Sequence, residues 1–205
     1  MNLLEIATEI AIEVGEATPT TAQDKSPFTR LAVQFINETG RELVRRVDWH
    51  VLNETYTFLG DGLDRFYPFP ESYARLTRGQ SIVADGAPVR GSLTADEWNS
   101  LARAPGQPRY FRATANGVGF YPLADIGVSV SVSYQSRNWV RQVSDQTTDK
   151  MAQDNDETIL PAPLLVRGAV WRWYRHTGRD YSDHLAEFET MLTDYADQEG
   201  GIRQP

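Results

Sequence analysis

The residues able to do chemistry in this chain are three histidines, twenty-eight carboxylates and a spaced run of arginines. His50, His176 and His184 lack the spacing of a metal motif such as HExxH, and the absence of cysteine removes zinc ribbons, thiolate nucleophiles and disulfides. There is no glycine-rich phosphate loop with its lysine, no dinucleotide fingerprint and no nucleophile elbow. Two carboxylates can act as acid and base on a glycosidic bond. With 28 acids present, some pair always has suitable spacing, so a carboxylate-dependent glycan hydrolase is an alternative without a motif of its own. His176 falls near a helix end, where its charge favours the C-terminal dipole. The residues therefore predict no catalytic, cofactor or metal site and no enzyme.

The more informative spacing is that of Arg172, Arg175 and Arg179, three and four residues apart and so on one helical face. Such a stripe is either a solvated face with favourable dipole placement or a contact surface for an acidic protein partner. Trp171 flanks it, facing away from the Trp173 side of the helix, and tryptophan beside arginine makes a good interface anchor. Trp171, Arg172, Arg175 and Arg179 are the candidate partner contacts. The same stripe admits a second reading, a DNA-binding regulator whose affinity for duplex falls steeply with salt.

These residues must be positioned by the segment from Leu160 to Glu199, which reads as two helices around a break at Thr177–Asp180. Pro161 and Pro163 suit a first turn, Gly178 the left-handed position that closes a helix, and Asp180 the cap of the next. Leu165, Ala169, Val170, Trp173 and Tyr174 form one apolar face. Tyr181, Leu185, Phe188, Leu192 and Tyr195 form another at steps of four and three. A break this short predicts an antiparallel αα-hairpin.

The N-terminal stretch predicts two more helices. Leu3, Ile6 or Ala7, Ile10 and Val14 give an apolar stripe ended by Gly15. Ser26-Pro27 then caps a second helix running to about Val47. Gly40 in that helix, like Gly168 later, invites close approach of a neighbouring helix. From Val51 the period becomes two: a strand to Phe58, an extended edge segment at Arg65–Pro70, and hairpins around Asp85-Gly86 and Asn116-Gly117. A capping box at Thr94–Glu97 opens a short helix to about Arg103. Val128, Val130, Val132 and Tyr134 mark the clearest half-buried strand. Gln142–Glu157 reads as a polar loop, or a segment ordering only against a partner, and the tail from Gly200 as frayed. Trp49, Trp98 and Trp139 are expected to seal the junction between helices and strands. The fold class is α+β: a four-helix layer from the two chain ends (1–49 and 141–205) with a small antiparallel β domain (50–140) inserted.

Bulk properties narrow the partners. At 205 residues and 40% hydrophobic content a sizeable core is expected, and no apolar run reaches the ~18 residues of a membrane span. The first sixteen residues carry four acids and no base, unlike a signal peptide, which predicts that the protein begins life in a reducing cytoplasm. A net charge of −8 opposes a basic nucleic-acid footprint. The basic residues are two lysines against eighteen arginines, and arginine is the side chain favoured for bidentate and stacked contacts.

Taken in order, LLEIATEIAIEVG, FINETGRELVRRVDWHVL, FYPFPESYARL, PRYFRATANGVGFYP, SYQSRNWV and LPAPLLVRGAVWRWYRHTGRDYSDHLAEFE resemble the head–tail adaptor (connector) proteins of tailed bacteriophages, the tail tubular protein A-like group. The resemblance covers nearly the whole chain and rests on the co-occurrence of these pieces rather than on any one of them. It implies a structural virion protein that forms a ring, commonly of twelve neighbouring copies, beneath the portal protein. Such a ring seals the head, receives the next tail or nozzle protein, and leaves a channel through which genomic DNA passes without specific binding. It further implies that the helical part docks on the portal and the β part faces the tail.

Overall fold

The change of hydrophobic period near residue 50 is where the chain changes architecture. The computed structural model describes residues 1–79, 81–101 and 105–199. Two helices open the chain, α1 (Leu3–Val14) and α2 (Pro27–Arg46). The strands β1 (Asn53–Leu59), β2 (Phe66–Pro68), β3 (Tyr73–Leu76), β4 (Ile82–Ala84), β5 (Ala87–Pro88) and β6 (Arg90–Gly91) follow, then the short helix α3 (Ala95–Ser100). Next come β7 (Pro105–Gly106), β8 (Tyr110–Thr114), β9 (Gly117–Tyr121), β10 (Leu123–Ala124) and β11 (Ser129–Ser136). The chain continues through β12 (Val140–Arg141), β13 (Thr147–Thr148) and β14 (Glu157–Thr158) into α4 (Ala162–His176) and α5 (Ser182–Gln198). The fold is mixed α+β, with five α-helices among the described residues.

The chain divides into two compact units, Met1–Leu52 with Ser136–Pro205, and Asn53–Gln135. In the first, α4 packs against α1, α2 and α5, and α1 also touches α2. Its core runs from Leu3, Ile6 and Ile10 through Ile36 and Leu43 to Leu164, Leu165, Phe188 and Leu192, all essentially inaccessible. The ends form as the local chemistry requires. Asn2 and Glu5 make a reciprocal capping box at α1. Ser26 accepts from the Thr29 N–H ahead of Pro27. Gly178 adopts φ +71° after α4, a conformation that a side chain with a Cβ resists. The cap of α5 falls one residue later than Asp180: Tyr181 takes the N-cap position. Asp180 contributes through a turn instead, accepting from the Ser182 N–H at 3.0 Å.

Gly168 permits the close helix approach expected of it, since a Cβ there would lie 2.2 Å from the Thr39 side chain of α2. Gly40 does something different. Its neighbour is the indole of Trp139, 2.3 Å from a would-be Cβ, so a side chain rather than a helix fills the notch. Trp139 donates to the Asp149 carbonyl and Trp49 to the Leu43 carbonyl, each at 2.9 Å. Both belong to the core of the helical unit. Trp98 is buried in the other unit against Phe66, beneath the Arg65 guanidinium. Each of the three tryptophans is packed within its own unit.

The segment from Gln142 to Glu157 is the main correction. It is mostly exposed loop, as its polarity predicts, but two short strands and the buried Met151 and Asp156 fix its path within the helical unit. Thr147–Thr148 and Glu157–Thr158 flank β12 as a three-stranded sheet. The chain between them is pinned by polar groups whose long-range partners the local pattern does not reveal. Asn37 of α2 donates to the Met151 carbonyl at 3.0 Å and accepts from the Met151 N–H at 2.8 Å, replacing a strand neighbour. The buried carboxylate of Asp156 accepts from Ala152 and Gln153 N–H groups. Asp154 accepts from Thr21 and Ala22 in the α1–α2 loop.

In the second unit β11 is central, pairing with β1, β3 and β4, while β4 continues to β5. Val130, Val132 and Tyr134 are buried as their alternation predicts. A 3₁₀ turn at His50–Leu52 delays the first strand to Asn53. A second sheet has the order β2-β9-β8-β6, with the proline-bearing β2 at its edge. Asp85 and Gly86 both have positive φ in the β4–β5 turn. The other hairpin turns one residue early: Thr114 pairs with Gly117, leaving Ala115-Asn116 at the tip. Gly117 serves the sheet, because a Cβ there would meet the Tyr67 carbonyl of β2 at 2.3 Å. The capping box at Thr94 and Glu97 opens α3, which ends at Ser100. The expected end near Arg103 and the tail from Gly200 lie outside the described residues.

Candidate partner-contact surface

The arginine stripe on α4 divides into one structural residue and two exposed ones. Arg172 is only 12% exposed at its side chain. Its Nη1 donates to Thr39 Oγ1 at 3.0 Å and to the Gly168 carbonyl at 2.8 Å, its Nη2 bonds Glu42, and its Nε lies 3.7 Å from Glu38. The guanidinium also stacks 4.3 Å over the Trp171 ring. Trp171 itself is buried against Tyr181 and Phe188 of the hairpin. Its indole N–H and that of Trp173 are buried without a hydrogen-bond partner among the described residues. Arg175 and Arg179 are exposed, and Arg179 lies 5.9 Å over the Tyr174 ring.

A groove of about 420 Å³ is lined by Phe35, Glu38, Trp171, Arg172, Arg175 and His176. It brings together three of the four predicted contact residues and leaves Arg179 beyond it. The wall is aromatic and rigid, because Arg172 is held by α2, and Arg175 is the cation free to meet a ligand. A DNA-binding reading needs the stripe as a continuous cationic ridge. With Arg172 paired to two glutamates, the ridge is reduced to two guanidinia.

Sequence reasoning missed two further arginines that complete a clamp around α4. Arg167 joins Glu13 of α1 at 2.7 Å and Glu187 of α5 at 3.2 Å. Arg46 of α2 makes a bidentate pair with Glu189 of α5 at 2.7 and 2.6 Å, and reaches Glu42 at 3.0 Å. The hydrogen bond from Arg46 holds the Glu189 carboxyl below its ordinary range, and the same bond drives the Arg46 guanidinium further up. Glu13 goes the other way. Burial pushes its carboxyl up more than Arg167 pulls it down, with Glu9 and Glu187 adding repulsion. A signal for this clamp was present: α1 and α5 contain no lysine or arginine, and α4 contains no acid.

The histidines are dispersed. His50 lies 2.8 Å from Glu199, His176 packs on Phe35 and His184 on Tyr174. Among the described residues no group of three His, Cys, Asp or Glu side chains could hold a metal, and no helix is long and apolar enough to cross a membrane. The geometry is that of an exposed groove on a clamped helical unit. A family match extends over residues 1–205.

The chain belongs to the SU10 adaptor protein family. It is a phage head–tail adaptor by family, and that family is a structural one. No curated protein matches the sequence. For an adaptor, an exposed cation beside a rigid aromatic wall is a feature to be judged as a protein-docking surface, since portal and tail components are the partners the family implies.

Proposed function

We propose that this SU10-type adaptor joins head to tail in a phage virion, assembling as a ring beneath the portal protein. The ring, of twelve copies as the resemblance implies, seals the head, receives the downstream tail or nozzle protein, and leaves a channel for genomic DNA. The observation that carries this reading is the extent of the family match, which takes in the whole chain. Helices α1, α2, α4 and α5 would act as one four-helix layer docking on the portal, with the unit Asn53–Gln135 turned towards the tail. The net charge of −8 suits a channel wall, because like charge keeps a sliding polyanion from sticking.

The portal contact is assigned to Arg175 and Arg179, the exposed members of the stripe, with Trp171 and Arg172 as the wall that holds Arg175 in place. Electron microscopy of the protein mixed with purified portal tests the assembly: an added ring beneath the portal is expected, and no complex at micromolar concentration would overturn it. In the same assay Arg175→Glu with Arg179→Glu should weaken portal binding about tenfold or more while the melting temperature is unchanged, since rim charges act on association more than on the fold. Unchanged portal affinity would move the contact elsewhere.

A further inference from the structure

The clamp around α4 uses up part of the charge on the helical unit and leaves a patterned remainder. On α2 the outward stripe is Arg30, Gln34, Glu38, Arg41 and Arg45. Arg30, Arg41 and Arg45 are exposed and make no ion pair among the described residues, whereas Glu38 faces Arg172. On α5 the outward stripe is Asp183, Glu187, Thr190, Asp194 and Asp197. Asp183, Asp194 and Asp197 are exposed and likewise unpaired, whereas Glu187 is taken by Arg167.

The two remainders are opposite in sign and alike in spacing. Arg30 and Arg41 are eleven residues apart, as are Asp183 and Asp194, and each stripe ends one turn later in a third charge of its own sign. At 1.5 Å per residue the stripes span about 22 Å and about 21 Å. The acid stripe is also open to be covered. α5 packs against α4, and only Phe188, Leu192 and Ala196 of its residues are buried.

We infer that α2 of one copy lies alongside α5 of the next in parallel register, Arg30, Arg41 and Arg45 facing Asp183, Asp194 and Asp197, and that this is the contact between neighbours in the ring. The occupant is a second copy because both halves of the match lie on this one chain. The two faces are different, so each copy offers one of each, which is the head-to-tail arrangement that closes by rotation. The inference rests on the ring reading above and specifies which surfaces build the ring.

Charge reversal in two separate variants tests it. Arg41→Glu with Arg45→Glu makes both stripes acidic, and Asp194→Arg with Asp197→Arg makes both basic. All four positions are exposed, so each variant should keep the wild-type melting temperature. With purified portal, followed by electron microscopy and native mass spectrometry, each variant alone should need at least tenfold more protein to form the ring. Their equimolar mixture should restore it, with the two variants alternating. A ring from either variant alone at wild-type concentrations would overturn this contact and leave the ring intact, and so would a loss that mixing does not repair. Failure of the wild-type chain to form any ring overturns the adaptor reading and this contact with it.

Discussion

Arg172 and Arg175 are three residues apart on one helix and have opposite roles, because only one of them has given up its water. Arg172 exchanged hydration for Thr39, Gly168 and two glutamates of α2. Removing one partner from such a site leaves a carboxylate and a carbonyl under-satisfied, a loss of about 1.5–3 kcal/mol for hydrogen bonds to charged groups. Arg172→Ala should therefore lower unfolding stability by about 2 kcal/mol in urea titrations, whereas Arg175→Ala should stay within about 0.5 kcal/mol of wild type. Equal effects would show that exposure does not separate their roles. Glu189 gives a pH signature at the same scale. Its carboxyl is held below its ordinary 4.5 by Arg46, so its contribution is present above that value and is lost as pH falls through the depressed one. Glu13 is displaced upward, so its deprotonation on rising pH costs stability and partly offsets Glu189 at neutral pH. The prediction is that Glu189→Gln loses stability at pH 7 and approaches wild type near pH 3, read from thermal melts across that range.

At the scale of elements, what was legible was what is local. Caps at Ser26 and Thr94, the αL glycine at 178 and the alternation through Val130 and Val132 each involve neighbours a few residues apart, and each formed as expected. What was illegible depends on partners distant along the chain. Nothing near Met151 announces that Asn37 will pair with its backbone, and nothing near Asp156 says that its carboxylate will be buried. A polar, acid-rich stretch therefore read as loop, which most of it is, with no sign of the anchors that fix it. The arginine stripe was half legible for the same reason: helical spacing placed Arg172, Arg175 and Arg179 on one face, but α2 decided which would be exposed. The ordering of 142–158 can be tested directly. Asp156→Ala leaves the Ala152 and Gln153 N–H groups without their acceptor, a cost of about 1–3 kcal/mol. That change should open the segment to limited proteolysis while cleavage elsewhere is unchanged; a protected segment would mean the carboxylate is dispensable.

For the whole molecule, stability and assembly rest on different physics. The helical unit is held by an apolar core in which each buried Leu, Ile or Phe contributes roughly 1.5–3 kcal/mol, with part-buried arginines setting how the helices register. Contacts between copies through exposed charges are weaker, about 0–1 kcal/mol per pair, and are screened within about 3 Å at 1 M salt. Ring formation should accordingly fall as sodium chloride rises from 0.1 to 1 M, while the urea midpoint of the subunit changes little. A salt-insensitive ring would point to an apolar interface. The excess of arginine over lysine has a physical use in this division. The same side chain clamps α4 internally as a planar fork and remains available on the outer faces of α2 and α4.

Asn53 and Gln135, the first and last residues of the β unit, are direct partners in the β1–β11 ladder. Residues opposite one another in an antiparallel pair sit about 5 Å apart, so the chain leaves for the β unit and returns from it at neighbouring points. Bringing those two points together sets no particular length for the chain between them. This makes the pair a natural graft site: an insert of another length could be exchanged at Asn53 and Gln135, provided its own ends also lie about 5 Å apart.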